Sequence, residues 1–184
     1  MKTSLMLDLT IAHTPVGPIG LYGLEHDLVG VTLDGRHGPE LRHEKFLARH
    51  LGAFNTRCAP DAAGAATRLE RYFAGEFAAL DEQPLRITGT AFQRRCWTRL
   101  RAVKAGETLS YAQLAAAIDH PTAVRAVAAA NGANILALFI PCHRVIAADG
   151  TLWGYGGGLP MKQWLLQHER ARFTALAEQG SLPL

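Results

Sequence analysis

Two capping boxes constrain the second half of this chain. In Thr90-Ala91-Phe92-Gln93, and again in Ser110-Tyr111-Ala112-Gln113, a hydroxyl residue stands three positions before a glutamine. The hydroxyl can accept from an orphan amide of the first helical turn while the glutamine reaches back to the cap. After the first box, Phe92, Cys96, Leu100 and Val103 recur at helical spacing with Trp97 beside them, and Gly106 is expected to end that helix. Cys96 in this register reads as core filler. The second box opens a helix through Leu114, Ala115 and Ile118, which Asp119-His120-Pro121 breaks. A third helix is expected from Pro121 or Thr122 to Asn131. Short helices in such close succession predict a helix-turn-helix.

The third helix carries Ala123, Val124, Arg125, Ala126, Val127, Ala128, Ala129 and Ala130, so nearly every side chain but one is small. Two accounts fit. One is an alanine-rich core helix with a solvated arginine. The other is a helix that presses into a DNA groove and pushes a single cation into the base stack. Charge supports the second: residues 91–184 hold ten Lys and Arg against five Asp and Glu, whereas residues 1–90 hold nine against eleven. A basic half beside a mildly acidic one suits a polyanionic partner.

The stretch Ile140-Pro141-Cys142-His143-Arg144-Val145-Ile146 follows an apolar run, Ile135 to Phe139, which reads as a strand. It precedes the glycine-rich loop Gly154-Tyr155-Gly156-Gly157-Gly158. A cysteine is a strong nucleophile only as its thiolate, and a free thiol titrates near pH ~8.5, so Cys142 needs help that a neighbouring His143 can give. A buried structural cysteine beside a surface histidine is the other reading of that pair. The loop lacks the lysine and the strand–helix setting of a phosphate-binding loop, but glycines let backbone approach a flat ligand closely. The three cysteines are odd in number and none sits in C-x-x-C spacing, which argues against a disulfide scaffold and a cysteine-based zinc site. No metal or cofactor is expected. Neither a signal peptide nor a membrane span is visible, and a reducing cytoplasm fits the thiols.

The first half predicts three strands, at residues 4–11, 19–24 and 28–33, with a turn at Thr14-Pro15-Val16-Gly17-Pro18. Residues 40–51 suit a short helix. Asp61 suits the cap of a helix reaching Ala74, with Leu69, Tyr72 and Phe73 on one side and Gly75 ending it. Residues 80–87 read as irregular or a short strand. His13, His26, His37, His43 and His50 are scattered and read as surface residues. The whole reads as a three-stranded sheet with a covering helix, in a scaffold role. Near the other end, Pro160 suits the first turn of a last helix with Trp164 and Leu165 inward and Glu169 near its end, before a loose tail from Ala175 to Leu184.

Taken in order, Tyr72-Phe73-Ala74-Gly75-Glu76, Gly89-Thr90-x-Phe92-Gln93-x-x-x-Trp97, Gly106-Glu107-Thr108-x-Ser110-Tyr111, Arg125-Ala126-Val127, Asn131-Gly132-x-Asn134, Ile140-Pro141-Cys142-His143-Arg144-Val145, Gly154-Tyr155-Gly156-Gly157-Gly158-Leu159 and Leu165-Leu166-x-x-Glu169 resemble the O6-alkylguanine-DNA alkyltransferase family, the methylated-DNA–protein-cysteine methyltransferases. The similarity is dense from Gly89 to Glu169 and thin before Tyr72.

The resemblance implies an α/β (α+β) fold. A ribonuclease-H-like sheet-plus-helix domain over residues 1–90 would precede a winged helix-turn-helix domain over residues 91–184. It implies a DNA-repair protein that moves the alkyl group of O6-alkylguanine, with O4-alkylthymine left open, irreversibly onto its own cysteine. Cys142 would be the acceptor, His143 its base through a water, and Glu169 the carboxylate that orients the histidine. Asn134 would tie the helix-turn-helix to the active-site strand, and Tyr111 would donate to the guanine. Arg125 would replace the extruded nucleotide, on a helix whose Ala123, Ala126, Ala128 and Ala129 meet the minor groove of double-stranded DNA. Asn131, Val145, Trp153, Tyr155, Gly156 and Gly157 would line the base and alkyl pocket. A monomer is implied, away from membranes, with cooperativity along DNA open. Three positions depart from the family pattern: Ile135 stands where proline is common, Ala128 where glycine is usual, and Trp153 is bulky for its place, where it would narrow or cover the pocket. A winged-helix regulator without chemistry would replace the nucleophile, which this chain keeps, and a cysteine hydrolase would turn over.

Overall fold

The computed structural model describes residues 5–35 and 42–171. Contacts divide the chain into two compact units: Met1–Gly89 with Ile135–Phe139, and Thr90–Asn134 with Ile140–Leu184. The break at Gly89 falls beside the first capping box. One segment does not follow the simple split at residue 90. Ile135–Phe139 groups with the first unit, and it forms bends and a turn where a strand was expected. Leu138 turns the backbone with φ 73°, and all five side chains are buried. A short apolar run buried on every side has the same pattern whether it is extended or turning.

In the first unit, β1 (Leu5–Thr14), β2 (Gly17–Leu24) and β3 (Asp27–Thr32) are the three expected strands, and they pair as an antiparallel meander. The sheet has a fourth strand that was not foreseen: β4 (Phe54–Cys58) lies parallel to β1, giving the order β3-β2-β1-β4. Its residues are mostly exposed, so no buried face imposed an alternation on its sequence. The helix α1 (Arg42–Leu51) buries Leu47 and Glu44, and the Tyr22 hydroxyl donates to Glu44 at 2.7 Å. Its expected start at Glu40 lies outside the described residues.

A 3-10 turn at Ala62–Gly64 precedes α2 (Ala65–Phe73), so Asp61 acts later than expected: its carboxylate accepts from the amides of Ala66 and Thr67. Leu69 and Tyr72 are buried, and Gly75 ends the segment with φ 101°. Residues 80–87 form no strand beyond a single bridge between Leu28 and Leu85. His13, His26 and His50 are exposed, whereas His43 is partly buried and burial lowers its pKa. His37 lies outside the described residues.

In the second unit both capping boxes form. The Gln93 amide donates to Thr90 Oγ1 at 3.2 Å and the Thr90 amide to Gln93 Oε1 at 2.9 Å, opening α3 (Ala91–Arg101). The equivalent bonds at Ser110 and Gln113 are 3.1 and 2.7 Å, and they open α4 (Tyr111–Ala117). The helix α3 stops at Arg101, before Gly106. That glycine serves a later turn: it holds φ +85°, and a Cβ there would come within 3.2 Å of the Glu169 carbonyl oxygen. The third helix, α5, runs from Val124 to Gly132, starting after the Pro121-Thr122 turn, and Ala123 caps it without a side-chain bond. The indole N–H of buried Trp97 donates to the Ala130 carbonyl at 2.9 Å and pins α3 to α5.

A two-stranded parallel ladder, β5 (Leu109–Ser110) with β6 (Val145–Ile146), was also not foreseen, and it sets the start of α4 beside the Cys142 stretch. The last helix, α6 (Leu159–His168), has Pro160 in its first turn. Leu165, Leu166 and Lys162 take its buried side, and Trp164 is only half-buried, stacked on His168. The expected loose tail lies outside the described residues. No helix among the described residues is long and apolar enough to cross a membrane.

Candidate active site

Cys142, His143 and Arg144 occupy one 3-10 turn between Pro141 and β6, and all three are buried. Backbone geometry aims them differently. The Asn134 side chain, just past the end of α5, donates to the Ile140 carbonyl at 2.9 Å and also bonds the Cys142 sulfur. Asn131, one turn earlier, places its amide 3.4 Å from the Cys142 carbonyl. The end of α5 is thereby tied to the cysteine by two asparagines.

Glu169 follows α6 and closes the site from the other side. Its Oε1 lies 3.0 Å from His143 Nε2, while Arg144 donates to Oε2 from Nε and to Oε1 from Nη2, each at 2.8 Å. Arg144 spends Nη1 on the Val103 carbonyl. Burial alone would raise the Glu169 pKa. The facing His143 and the Arg144 guanidinium overcome it and hold this carboxyl far below the usual carboxylate range. An ionised carboxylate only accepts, so the proton of the bond must sit on His143 Nε2. Burial, with the Arg144 and Lys162 cations, lowers the imidazole pKa against the pull of Glu169. The resting ring is therefore neutral, with the lone pair on Nδ1. That atom is buried and has no protein partner.

Burial pushes the Cys142 thiol up. The Asn134 amide, the Lys162 charge and the amides of Cys142 and His143 pull it down, but the net shift is upward. The resting sulfur is thus a thiol with donors in place around it, in keeping with the expectation that it needs a base to become a thiolate. Burial in low dielectric outweighs those donors until a base removes the proton.

Lys162 was missed by the sequence reading. It is fully buried, and its ammonium donates to the carbonyls of Val145 at 2.6 Å and Trp153 at 2.7 Å. Burial brings its pKa down to about 8. It clips the glycine-rich loop to β6 and sets a positive charge near the sulfur. Nothing in the local sequence marks it, because a lysine on a surface-length helix reads as solvated.

The other expected residues divide. Tyr111 opens α4 half-buried, and burial together with the Cys142 charge raises its pKa. The Tyr155 ring meets the His143 ring edge-on with centroids 6.3 Å apart, and its hydroxyl is buried without a partner. Val145 is buried in β6, Gly157 is half-buried and Gly156 is exposed. Trp153 does not cover the pocket with its indole: the side chain is 65% exposed and its N–H donates to Thr151 Oγ1. Its backbone carbonyl is the part that faces inward, because Lys162 binds it. On α5, Val127, Ala130 and Asn131 are buried, whereas Arg125, Ala126, Ala128 and Ala129 form an exposed face and Ala123 is half-buried at the cap. Val127 and Ala130 are the core contacts of the alanine-rich account, and the free face is that of the groove-binding one. No cluster of metal-ligating side chains occurs among the described residues.

Comparison with known proteins gives a consistent set. The family model described as 6-O-methylguanine DNA methyltransferase, DNA binding domain, matches residues 91–171. A methylated-DNA–protein-cysteine methyltransferase of Salmonella typhimurium is 47% identical over 121 residues, covering 66% of this chain and 70% of the relative. The protein of the same name from Mycobacterium tuberculosis is 39% identical over 173 residues, covering 92% and 96%. The crystal structure of Mycobacterium tuberculosis OGT in complex with DNA superposes with a TM-score of 0.73 at 35% identity, covering 90% of this chain and 93% of that one.

Proposed function

This chain belongs to the methylated-DNA–protein-cysteine methyltransferase family, and from that premise we propose that it repairs O6-alkylguanine in DNA by taking the alkyl group onto Cys142. The observation that carries the reading is the buried bond between Glu169 and His143, which leaves the free lone pair on Nδ1 of the residue that follows Cys142 in the chain, a cysteine held by Asn134. This is the nucleophile, base and orienter arrangement of a triad.

The steps follow from the atoms. An alkylated base is out of reach within a duplex and must be turned out of the stack, at a few kcal/mol. The exposed face of α5 enters the minor groove and Arg125 fills the gap, which offsets part of that cost. As the base arrives, His143 Nδ1 takes the thiol proton through a water. The sulfur attacks the alkyl carbon in line, an S–C bond forms, and the C–O6 bond breaks with its electrons on the guanine. The Tyr111 hydroxyl donates to the leaving base. Asn131, Val145, Trp153, Tyr155, Gly156 and Gly157 are proposed to line the pocket. The product is a thioether with no electrophilic carbonyl for water to attack, so each molecule acts once.

The protein works as a monomer on double-stranded DNA in a reducing cytoplasm, with the first unit as scaffold. Excess O6-methylguanine duplex tests the reading: methyl removal is expected to stop at one per protein molecule. Continued turnover, or a burst followed by a steady rate on an activated ester, would identify a hydrolase.

A further inference from the structure

Exposed arginines of this chain differ in their partners. In the first unit, Arg57 pairs with Asp8, Arg71 with Glu76 and Glu82, and Arg86 with Asp27. In the second unit, among the described residues, neither Arg95 nor Arg125 has a carboxylate partner. Arg125 stands on the free face of α5. Arg95 projects from α3, and its Nη1 lies 2.9 Å from Nε2 of His120.

An arginine can only donate, so His120 Nε2 is the acceptor and the ring proton sits on Nδ1. This contact neutralises nothing. It uses one of the five guanidinium N–H donors and fixes the direction of the rest. His120 is itself held. Its amide donates to the Ala115 carbonyl at 3.0 Å, its carbonyl accepts from the Ala123 amide at 2.9 Å, and its ring packs on Phe92 with centroids 5.7 Å apart. The residue therefore sits in the turn between α4 and α5, at the end of α5 from which Arg125 projects. The fold orders an uncompensated guanidinium there and gives it no acid. That is the arrangement expected where a phosphate oxygen is the missing partner.

We propose that Arg95, positioned by His120, is a second DNA-contact point that holds a backbone phosphate beside the groove entered by α5. The inference rests on the DNA-binding reading of this unit and extends its surface from α5 to α3. Phosphate contacts position a protein without reading sequence, so Arg95 acts alike on damaged and undamaged duplex.

The experiment is equilibrium binding of the full chain to undamaged duplexes of two sequences across a salt series, with alkyl transfer from free O6-benzylguanine as a parallel readout. Arg95→Ala is expected to weaken binding about fivefold at low salt on both duplexes and to reduce the salt slope by about 0.9, the value of one phosphate. Arg95→Lys keeps the slope and loses less affinity. His120→Ala keeps the slope but weakens binding, because the charge remains and its direction is lost. Arg57→Ala, which removes an already paired arginine, leaves the slope unchanged. Free-base transfer is unchanged in all four. An unaltered slope in Arg95→Ala, or an equal fall in Arg57→Ala, overturns the proposal. A His120→Ala protein that binds like the parent overturns the positioning role. Failure of the parent to accept an alkyl group would instead sink the repair reading, and the salt slopes would still report on Arg95.

Discussion

Glu169 serves His143 and Arg144 with the same two oxygens, so its replacements separate charge from tautomer. Glu169→Ala leaves Arg144 buried without its anion, and breaking a buried pair in this way costs about 3–5 kcal/mol. Denaturant unfolding reads that loss. Glu169→Gln keeps the shape, but its amide can donate to Nε2 and so move the imidazole proton to Nδ1. The base is then lost, and alkyl transfer from O6-benzylguanine should slow by about 10²-fold or more while much of the stability remains. Equal transfer rates in Glu169→Gln and the parent would contradict the tautomer argument.

The pH dependence has a definite sign. The His143 pKa is lowered by folding, so below about pH 6.5 the unfolded chain binds a proton that the folded site refuses. Stability from this group is present at neutral pH and falls as pH drops from 6.5 towards the lowered value. Urea midpoints at pH 7 and 5 should therefore diverge more in the parent than in His143→Gln; parallel behaviour would count against a buried neutral ring. At this scale the residue types of Cys142 and His143 pointed to the chemistry by themselves, whereas Glu169 and Asn134 were named only through the family resemblance. The sequence was silent on Lys162 and on the clamp by Arg144, because only burial distinguishes those cations from solvated ones.

Among the elements, α5 matters most. One face, through Val127, Ala130 and Asn131, packs inward and reaches Cys142, while the opposite face stays free. Arg125→Ala is expected to weaken repair in duplex DNA by tenfold or more (on the order of ~1.4 kcal/mol or above) and to spare the free base, which needs no extrusion. Equal losses on the two substrates would refute the role. The capping boxes made α3 and α4 legible, since that signal is local. The strands β4, β5 and β6 were hidden for the opposite reason. An exposed edge strand and two-residue ladders bury too little to imprint a periodicity, and their partners lie far away in sequence. Ile135–Phe139 misled for a third reason: complete burial erases the difference between strand and turn.

Across the whole molecule, contacts divide the chain after Gly89 and group Ile135–Phe139 with the first unit, an excursion that no local sequence signal marks. The chemistry has a global consequence. Cys142 is 6% exposed and its sulfur is bonded by Asn134, so an added methyl displaces a packed neighbour and removes a hydrogen-bond partner. Overpacking of this kind costs about 1–3 kcal/mol, and the alkylated protein should melt at a lower temperature than the parent. An unchanged or raised melting temperature would show a pocket already shaped for the thioether.

The most direct measurement is the mass of the peptide containing Cys142 after incubation with O6-methylguanine duplex. The account predicts a stable gain of one CH2 on that residue, with Cys58 and Cys96 unmodified and no gain on undamaged duplex. An unmodified Cys142 in a protein that still repairs the DNA, or a gain on another cysteine, would contradict it.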